Sequence, residues 1–346
     1  MPADPTTLPS LPALPKLGAG GIVGTGPVPT SRPSRTLARR IDLGRPLDLA
    51  ATLGPMRRGR GDPCLRIAGR QVWRATWTPD GAASIHLHHS AADRVEVRAW
   101  GPGAAWAIEH APDLIGEHDD LEPFEDLLGR LDGPEARLVR RLHRDAVGLR
   151  VPRSLALAEA MFPVVLEQRV TGQSARWSYR GLVAAFGEPA PTVPDLARPL
   201  VLPPKASTLA TLPVWAFHRH NVEARRAGTI RRVAERATGL DEAAALGGDA
   251  AHRRLLAIPG VGPWSLAEAA RTALGDADAV SVGDYHLPHH VAFALRGVPR
   301  SDDAELLALL EPFRGQRGRV CQLIVRGCPA APRLGPRRRH RDITRH

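Results

Sequence analysis

Between Leu255 and Ser265 the chain reads Leu-Leu-Ala-Ile-Pro-Gly-Val-Gly-Pro-Trp-Ser, and no other segment narrows the possible backbone so far. A helix running to Ile258 stops at Pro259, because proline lacks an N–H and clashes with the preceding turn. Gly260-Val261-Gly262 then makes a turn too tight for side chains at both flanking positions. Pro263 belongs in the first turn of the next helix, with Ser265 close by. Free backbone N–H groups at such a helix start, with no Cβ in the way, form a cradle for an anion. The same pattern also serves to join two core helices with no ligand at all.

Away from this hairpin the periodicity changes along the chain. From about 42 to 112, RIAGRQVWRATW, ASIHLHHS and RVEVRAW alternate polar and apolar residues around the turn signals TPDG and SAAD, as half-buried antiparallel strands do. Residues 47–53 and 104–115 read as helices packed on that sheet. From about 120 onward strands vanish, and segments from DLEPFEDLLGRL to DDAELLALLEPFRGQRGRVCQLIV carry apolar residues at helical spacing, with Gly and Pro between them. In NVEARRAGTIRRVAERA, Val222, Ile230, Val233 and Ala237 make an inward stripe. Arg225, Arg226, Arg231, Arg232 and Arg236 fall elsewhere on the turn, as a solvated face or a phosphate track. The fold class expected is α+β: a disordered Pro-rich tail over 1–40, a small antiparallel α+β domain over 41–118, an all-α domain over 119–330 and a basic tail over 331–346.

Charge is concentrated at the ends. The 346 residues include 47 Lys+Arg and 36 Asp+Glu, a formal charge of +11. Residues 1–40 hold five basic groups and one acid, and residues 331–346 six and one, so the 290 residues between are close to neutral. The basicity therefore describes two solvated tails, or tails that raise non-specific affinity for a polyanion. Only Lys16 and Lys205 are lysines, which leaves a Schiff-base mechanism almost no amine. Cys64, Cys321 and Cys328 are too few for a disulfide framework. A hydrophobic fraction of 43% excludes a largely disordered chain. No run approaches the ~18 apolar residues of a membrane span, and prolines interrupt the N-terminus where a signal peptide is continuous. A cytoplasmic protein with no membrane partner is expected.

LLAIPGVGPWS resembles the helix-hairpin-helix element of the base-excision DNA glycosylase superfamily, in which the hairpin amides hold one DNA phosphate. About twenty residues past Trp264, at the family's spacing, comes Ala279-Val-Ser-Val-Gly-Asp284-Tyr-His-Leu-Pro, an apolar run ending in one carboxylate before a new helix. FPVVLEQRVTGQSARWSYRGLVAAFGEP is similar to the segment that begins the family's glycosylase domain, ARRAGTIRRVAERA to the helix before the hairpin, and LLALLEPFRGQRGRVCQLI to the closing helix. The resemblance covers about residues 155–325. It is nearest in pattern to the DNA-3-methyladenine glycosylase II type, whose N-terminal antiparallel-sheet domain matches the one expected at 41–118.

The resemblance implies a monomeric, nucleoid-associated enzyme acting on double-stranded DNA that contains damaged bases. Gly260, Val261, Gly262 and Ser265 would hold a DNA phosphate, with a monovalent cation bound by the hairpin main chain. Asp284 would be the catalytic carboxylate, although an Asp at a helix start is also an N-cap worth about 1 kcal/mol, and the two roles coexist. The base pocket would comprise Trp264, Glu268, Tyr285, Phe313 and Gln168, and Arg169 would be the duplex wedge. Two positions depart from the family: Glu268 stands where an aromatic pocket residue is common, and Arg169 replaces a small apolar wedge. Trp264 occupies the position of the lysine in lyase-competent relatives, so water is the expected nucleophile. Cys321 and Cys328 match the first spacing of the iron–sulfur pattern some relatives carry, but nothing supplies the remaining ligands, and no cluster is expected. His218, His220, His286, His289 and His290 lack an accompanying Cys or acidic set, so no side-chain metal is expected and contact with DNA or solvent is. A glycosylase for deaminated or oxidised bases, and a non-catalytic damaged-DNA-binding protein of the same fold, remain as rival readings.

Overall fold

The computed structural model describes residues 36–332 and Thr344, so most of the expected basic tails lie outside the described residues. Strand alternation puts Val72, Leu87, Val97 and Ile85 on one face of an N-terminal sheet. Its strands are β1 (Leu37–Asp42), β2 (Leu65–Ala68), β3 (Gln71–Thr78), β4 (Gly81–Ala91) and β5 (Arg94–Trp100), all antiparallel in the order β1-β5-β4-β3-β2. Helices α1 (Leu49–Leu53), α2 (Ala104–Glu109) and α3 (Ala111–Leu114) cover the apolar face with Leu49, Leu53, Ala107 and Leu114. The first strand starts inside the segment expected to be tail. Its polar sequence carries little strand signal; pairing with β5 and the Arg39 guanidinium, which donates to the Ile108 and Glu109 carbonyls ending α2, hold it in place.

Beyond the sheet come α4 (Glu122–Arg130), α5 (Pro134–Asp145), α6 (Leu157–Glu167) and α7 (Gly172–Phe186). Two-residue strands β6 (Glu188–Pro189) and β7 (Val201–Leu202) then pair in the proline-rich connection, a correction to the expectation that strands end by residue 120. They are followed by α8 (Ala206–Thr211), α9 (Val214–His218), α10 (Ala224–Ala234), α11 (Ala237–Leu246), α12 (Gly248–Leu256), α13 (Pro263–Ala273), α14 (Leu287–Arg296), α15 (Asp303–Leu310) and α16 (Arg317–Gly327). Among the described residues, no helix is long and apolar enough to cross a membrane.

Helix α6 is apolar almost all round, and such a helix belongs at the centre of a core. Its Leu157, Met161, Phe162, Val164, Val165 and Leu166 are buried, with α7, α10, α11 and α13 packed about it. One carboxylate of this core collects three donors from the sheet. Glu159 of α6 accepts from Arg74 Nη2 (2.9 Å), Thr76 Oγ1 (2.7 Å) and Trp77 N (3.3 Å), all on β3. A second apolar cluster, including Phe124, Val139, Leu306, Phe313 and Ile324, is shared by α4, α5, α14, α15 and α16.

Two helical readings are corrected. The run over 221–237 breaks after Ala234, and Arg226 lies inside: it donates to the Leu166 and Asn221 carbonyls and pairs with Glu223. A guanidinium tolerates burial when its donors are satisfied, and this one closes an orphan carbonyl in the last turn of α6. The closing run is two helices, because Pro312 and Gly315 interrupt it.

Candidate active site

The hairpin joins α12 to α13. Gly260 has φ +97°, where side chains are disfavoured, and a Cβ there would overlap the Thr229 hydroxyl. Gly262 has φ −121°, and a Cβ would meet nothing within 4 Å. The turn is therefore too tight for a side chain at Gly260 but, contrary to expectation, not at Gly262, whose open flank faces no protein. The Val261 side chain is buried in the α6 core, leaving only its backbone to any ligand. Pro263 starts α13, no side chain caps it, and its first carbonyl bond runs from Leu266 N to Gly262 O (2.9 Å). The positive end of the helix dipole is thus presented by bare amides. Ser265 is buried, and its hydroxyl accepts from Gln168 Nε2 (2.8 Å), which also donates to Gly260 O (3.0 Å).

Asp284 lies between α13 and α14. Its Oδ1 accepts from His286 N (2.7 Å) and Leu287 N (2.8 Å), so it does cap α14. Its Oδ2 accepts from Trp264 Nε1 at 3.2 Å, across from the second residue of α13. Three N–H donors therefore fix one carboxylate beside the hairpin helix, and it lines a cleft of about 530 Å³.

The cleft runs between α13, α16 and the end of α1, and its polar lining includes Glu268, Ser281, His286, His290 and Gln322. Glu268 is 9% exposed and its oxygens are engaged: Oε1 accepts from Ser281 Oγ (2.6 Å) and Oε2 from Arg271 Nη2 (2.8 Å). Asp276 also lines the cleft. Burial pushes its carboxyl upward, but the His252 ring 3.3 Å away and the Asp278 and Ala279 amides outweigh that and hold it below the usual aspartate value. The same pairing raises His252. Among the described residues, no cluster of His, Cys, Asp or Glu is arranged to hold a metal.

The expected site residues do not all converge. Phe313 is 1% exposed within the α4–α16 core, so it is no pocket wall. Gln168 braces the hairpin rather than lining the cleft, and Arg169 beside it is exposed with a left-handed φ of +57°. Tyr285 is 71% exposed and sits edge-on to His286 and His289. Trp264 packs against the α6 core and touches Asp284 rather than lining the cleft. The contributions of Ser281, Gln322 and α1 went unforeseen, since they arise from packing between distant segments; only His286 and His290 carried a signal, four residues apart across the start of α14. Lys205 is remote from this set, paired with Glu188 (2.9 Å) and lying over the Trp77 ring (4.5 Å).

No protein-family model matches the chain. It is 28% identical to the probable bifunctional transcriptional activator/DNA repair enzyme AlkA of Mycobacterium tuberculosis, over 54% of this chain and 41% of that one. The chain thus spans well under half the length of that curated relative. Its structure is similar to the 3-methyladenine DNA-glycosylase from Archaeoglobus fulgidus, with a TM-score of 0.68 at 16% identity, over 83% of this chain and 97% of that one. It is also similar to the Clostridium acetobutylicum 8-oxoguanine glycosylase/lyase in complex with double-stranded DNA, with a TM-score of 0.59 at 12% identity, over 83% and 96%. The fold is that of the helix-hairpin-helix DNA glycosylases: a small antiparallel sheet followed by a helical body.

Proposed function

We propose that a chain with this fold and this carboxylate is a monofunctional DNA glycosylase, hydrolysing the N-glycosidic bond of flipped-out alkylated bases of the 3-methyladenine kind in duplex DNA. One observation carries the reading: Asp284, held by three N–H donors, stands at a cleft directly beside an uncapped hairpin helix that suits a phosphate. The AlkA relative and the 3-methyladenine glycosylase fold support alkylated bases over other lesions.

The chemistry follows from where charge develops. As the C1′–N bond breaks, its electron pair leaves with the base and the sugar gains oxocarbenium character, which a fixed carboxylate stabilises. Water adds at C1′ and loses a proton to Asp284 or to solvent. An alkylated purine already carries positive charge and departs neutral, so no general acid is required at the base. Gly260–Gly262 and the first amides of α13 hold a backbone phosphate. Gln168 ties the hairpin to the Arg169 loop, which fills the space the base vacates.

The test is base release from duplex DNA methylated by dimethyl sulfate, with wild type and Asp284→Asn in parallel. Wild type is expected to release 3-methyladenine or 7-methylguanine, and the variant to be slower by at least ~10²-fold, about 3 kcal/mol of transition-state stabilisation. A loss under tenfold would remove Asp284 from the chemistry. Lesion binding without release would make the chain a damaged-DNA-binding protein. No amine lies at the hairpin, where Trp264 stands, so borohydride trapping is expected to give no covalent adduct; an adduct overturns the monofunctional assignment.

A further inference from the structure

Some arginines of this fold are held by carboxylates, such as Arg317 with Asp278 (2.5 Å) and Arg296 with Glu135 (2.6 Å). The loop Arg57-Arg58-Gly59-Arg60-Gly61-Asp62, between α1 and β2, gathers several that are not. Only Arg58 has a carboxylate partner, Glu167 at 3.3 Å. Arg57 and Arg60, with Arg176 and Arg180 of α7, make no ion pair among the described residues. They are nevertheless close together. A Cβ on Gly59 would lie 2.7 Å from Arg176 Cδ, and one on Gly61 2.9 Å from Arg180 Nη1, so the two glycines let these arginines lie directly on the loop backbone.

The loop is also fixed in shape. The Asp62 carboxylate accepts from Arg58 N (2.7 Å), Cys64 N (2.8 Å) and Leu65 N (3.1 Å). On α7, Gln173, Arg176, Trp177 and Arg180 share one face and are all exposed, with Trp177 at 41%. Five guanidiniums set against the two carboxylates Asp62 and Glu167 leave a positive excess, and a polyanion bound there relieves the repulsion among them while releasing counterions. The position is informative too. Glu167, which holds Arg58, precedes Gln168, and Gln168 bonds the hairpin at Gly260 and Ser265. Hairpin, Gln168–Arg169 loop, arginine loop and α7 therefore follow one another across the surface.

We propose that the 57–61 loop and the Arg176–Arg180 face of α7 form a second phosphate-binding surface for the duplex backbone, beyond the Gln168–Arg169 loop as seen from the hairpin. This surface rests on the reading of the chain as a DNA-binding enzyme. It binds both damaged and undamaged duplex, because phosphates carry no sequence.

The experiment is fluorescence anisotropy of the full chain with undamaged duplex DNA across a salt series. The proteins are wild type, Arg60→Ala/Arg180→Ala, Arg60→Lys/Arg180→Lys, the charge-matched sheet variant Arg70→Ala/Arg98→Ala, and Gly262→Ala. Removing one phosphate-bound guanidinium lowers the slope of log K against log salt by ~0.9, so the loop–α7 alanine pair is expected to lose about two from the slope and to bind tenfold or more weakly at ~0.1 M salt. The lysine pair is expected to keep most of the slope, and the sheet pair to match wild type. An unchanged slope in the loop–α7 alanine pair overturns this surface, as does an equal loss in the sheet pair, which reduces the effect to net charge. A Cβ at Gly262 meets no protein atom, so its variant reports on the hairpin alone. Wild type that binds no duplex overturns the proposed function and this surface with it, whereas binding indifferent to Gly262→Ala overturns the hairpin's part in the proposed function and leaves the surface to be decided by the loop–α7 slope.

Discussion

Trp264 gives Asp284 one of its three donors while its ring packs on the α6 core, and a single substitution separates the two contributions. Trp264→Phe keeps an aromatic face and removes the N–H. A hydrogen bond to a charged group is worth ~1.5–3 kcal/mol, so single-turnover excision is expected to slow by roughly ten- to a hundredfold with substrate affinity nearly unchanged. A stacking role alone would leave the rate of the Phe variant intact. At this scale the hairpin was legible from local spacing, two glycines between prolines, whereas it was the resemblance to the glycosylase superfamily that pointed to Asp284, about twenty residues past Trp264. The sequence did not show that Phe313 turns into the core, that Gln168 braces Gly260, or that Ser281 and Arg271 occupy the Glu268 carboxylate. Those outcomes are decided by segments far apart in the chain.

At the scale of elements, α6 depends on a cap supplied by another helix. Asp241 of α11 accepts from Ala158 N (3.0 Å) at the start of α6. Burial pushes its carboxyl up to about 6, against backbone hydrogen bonds from Ala158 and Leu157 that work the other way. The folded protein therefore holds this proton more tightly than the unfolded chain, and the associated stability is present at low pH and lost as pH rises through about 6. Across pH 4 to 6 the wild type is expected to lose about 2 kcal/mol relative to Asp241→Asn, whose amide oxygen still accepts from Ala158 N. Urea unfolding of both proteins at the two ends of that window measures it, and parallel curves would refute it. Amphipathic helices such as α13 and α14 were legible from periodicity. The α5 segment was overlooked although Ala136, Val139 and Leu142 recur every third residue among its charges. Strand β1 was not legible, since it owes its form to β5 and Arg39.

Over the whole molecule, the expectation of an α+β chain with sheet first and helices after matches the fold. What sequence could not supply is the seam between them, where Arg74, Thr76 and Trp77 converge on Glu159 and the Trp77 indole donates to Pro203 O (2.8 Å). An unpaired buried charge is costly, so sheet and helices are expected to unfold together. Calorimetry should give one transition for wild type, and Glu159→Ala should lower its midpoint or split it; two transitions in the wild type would show that the seam is weak. The seam has a practical side as well. Lys205 lies over Trp77 at that junction and is the lone lysine between Ile41 and the C-terminus of the chain. With Lys16 replaced by arginine, an amine-directed fluorophore on Lys205 would sit next to an indole that quenches it, and the brightening of that fraction would time the parting of sheet from helices without an engineered cysteine.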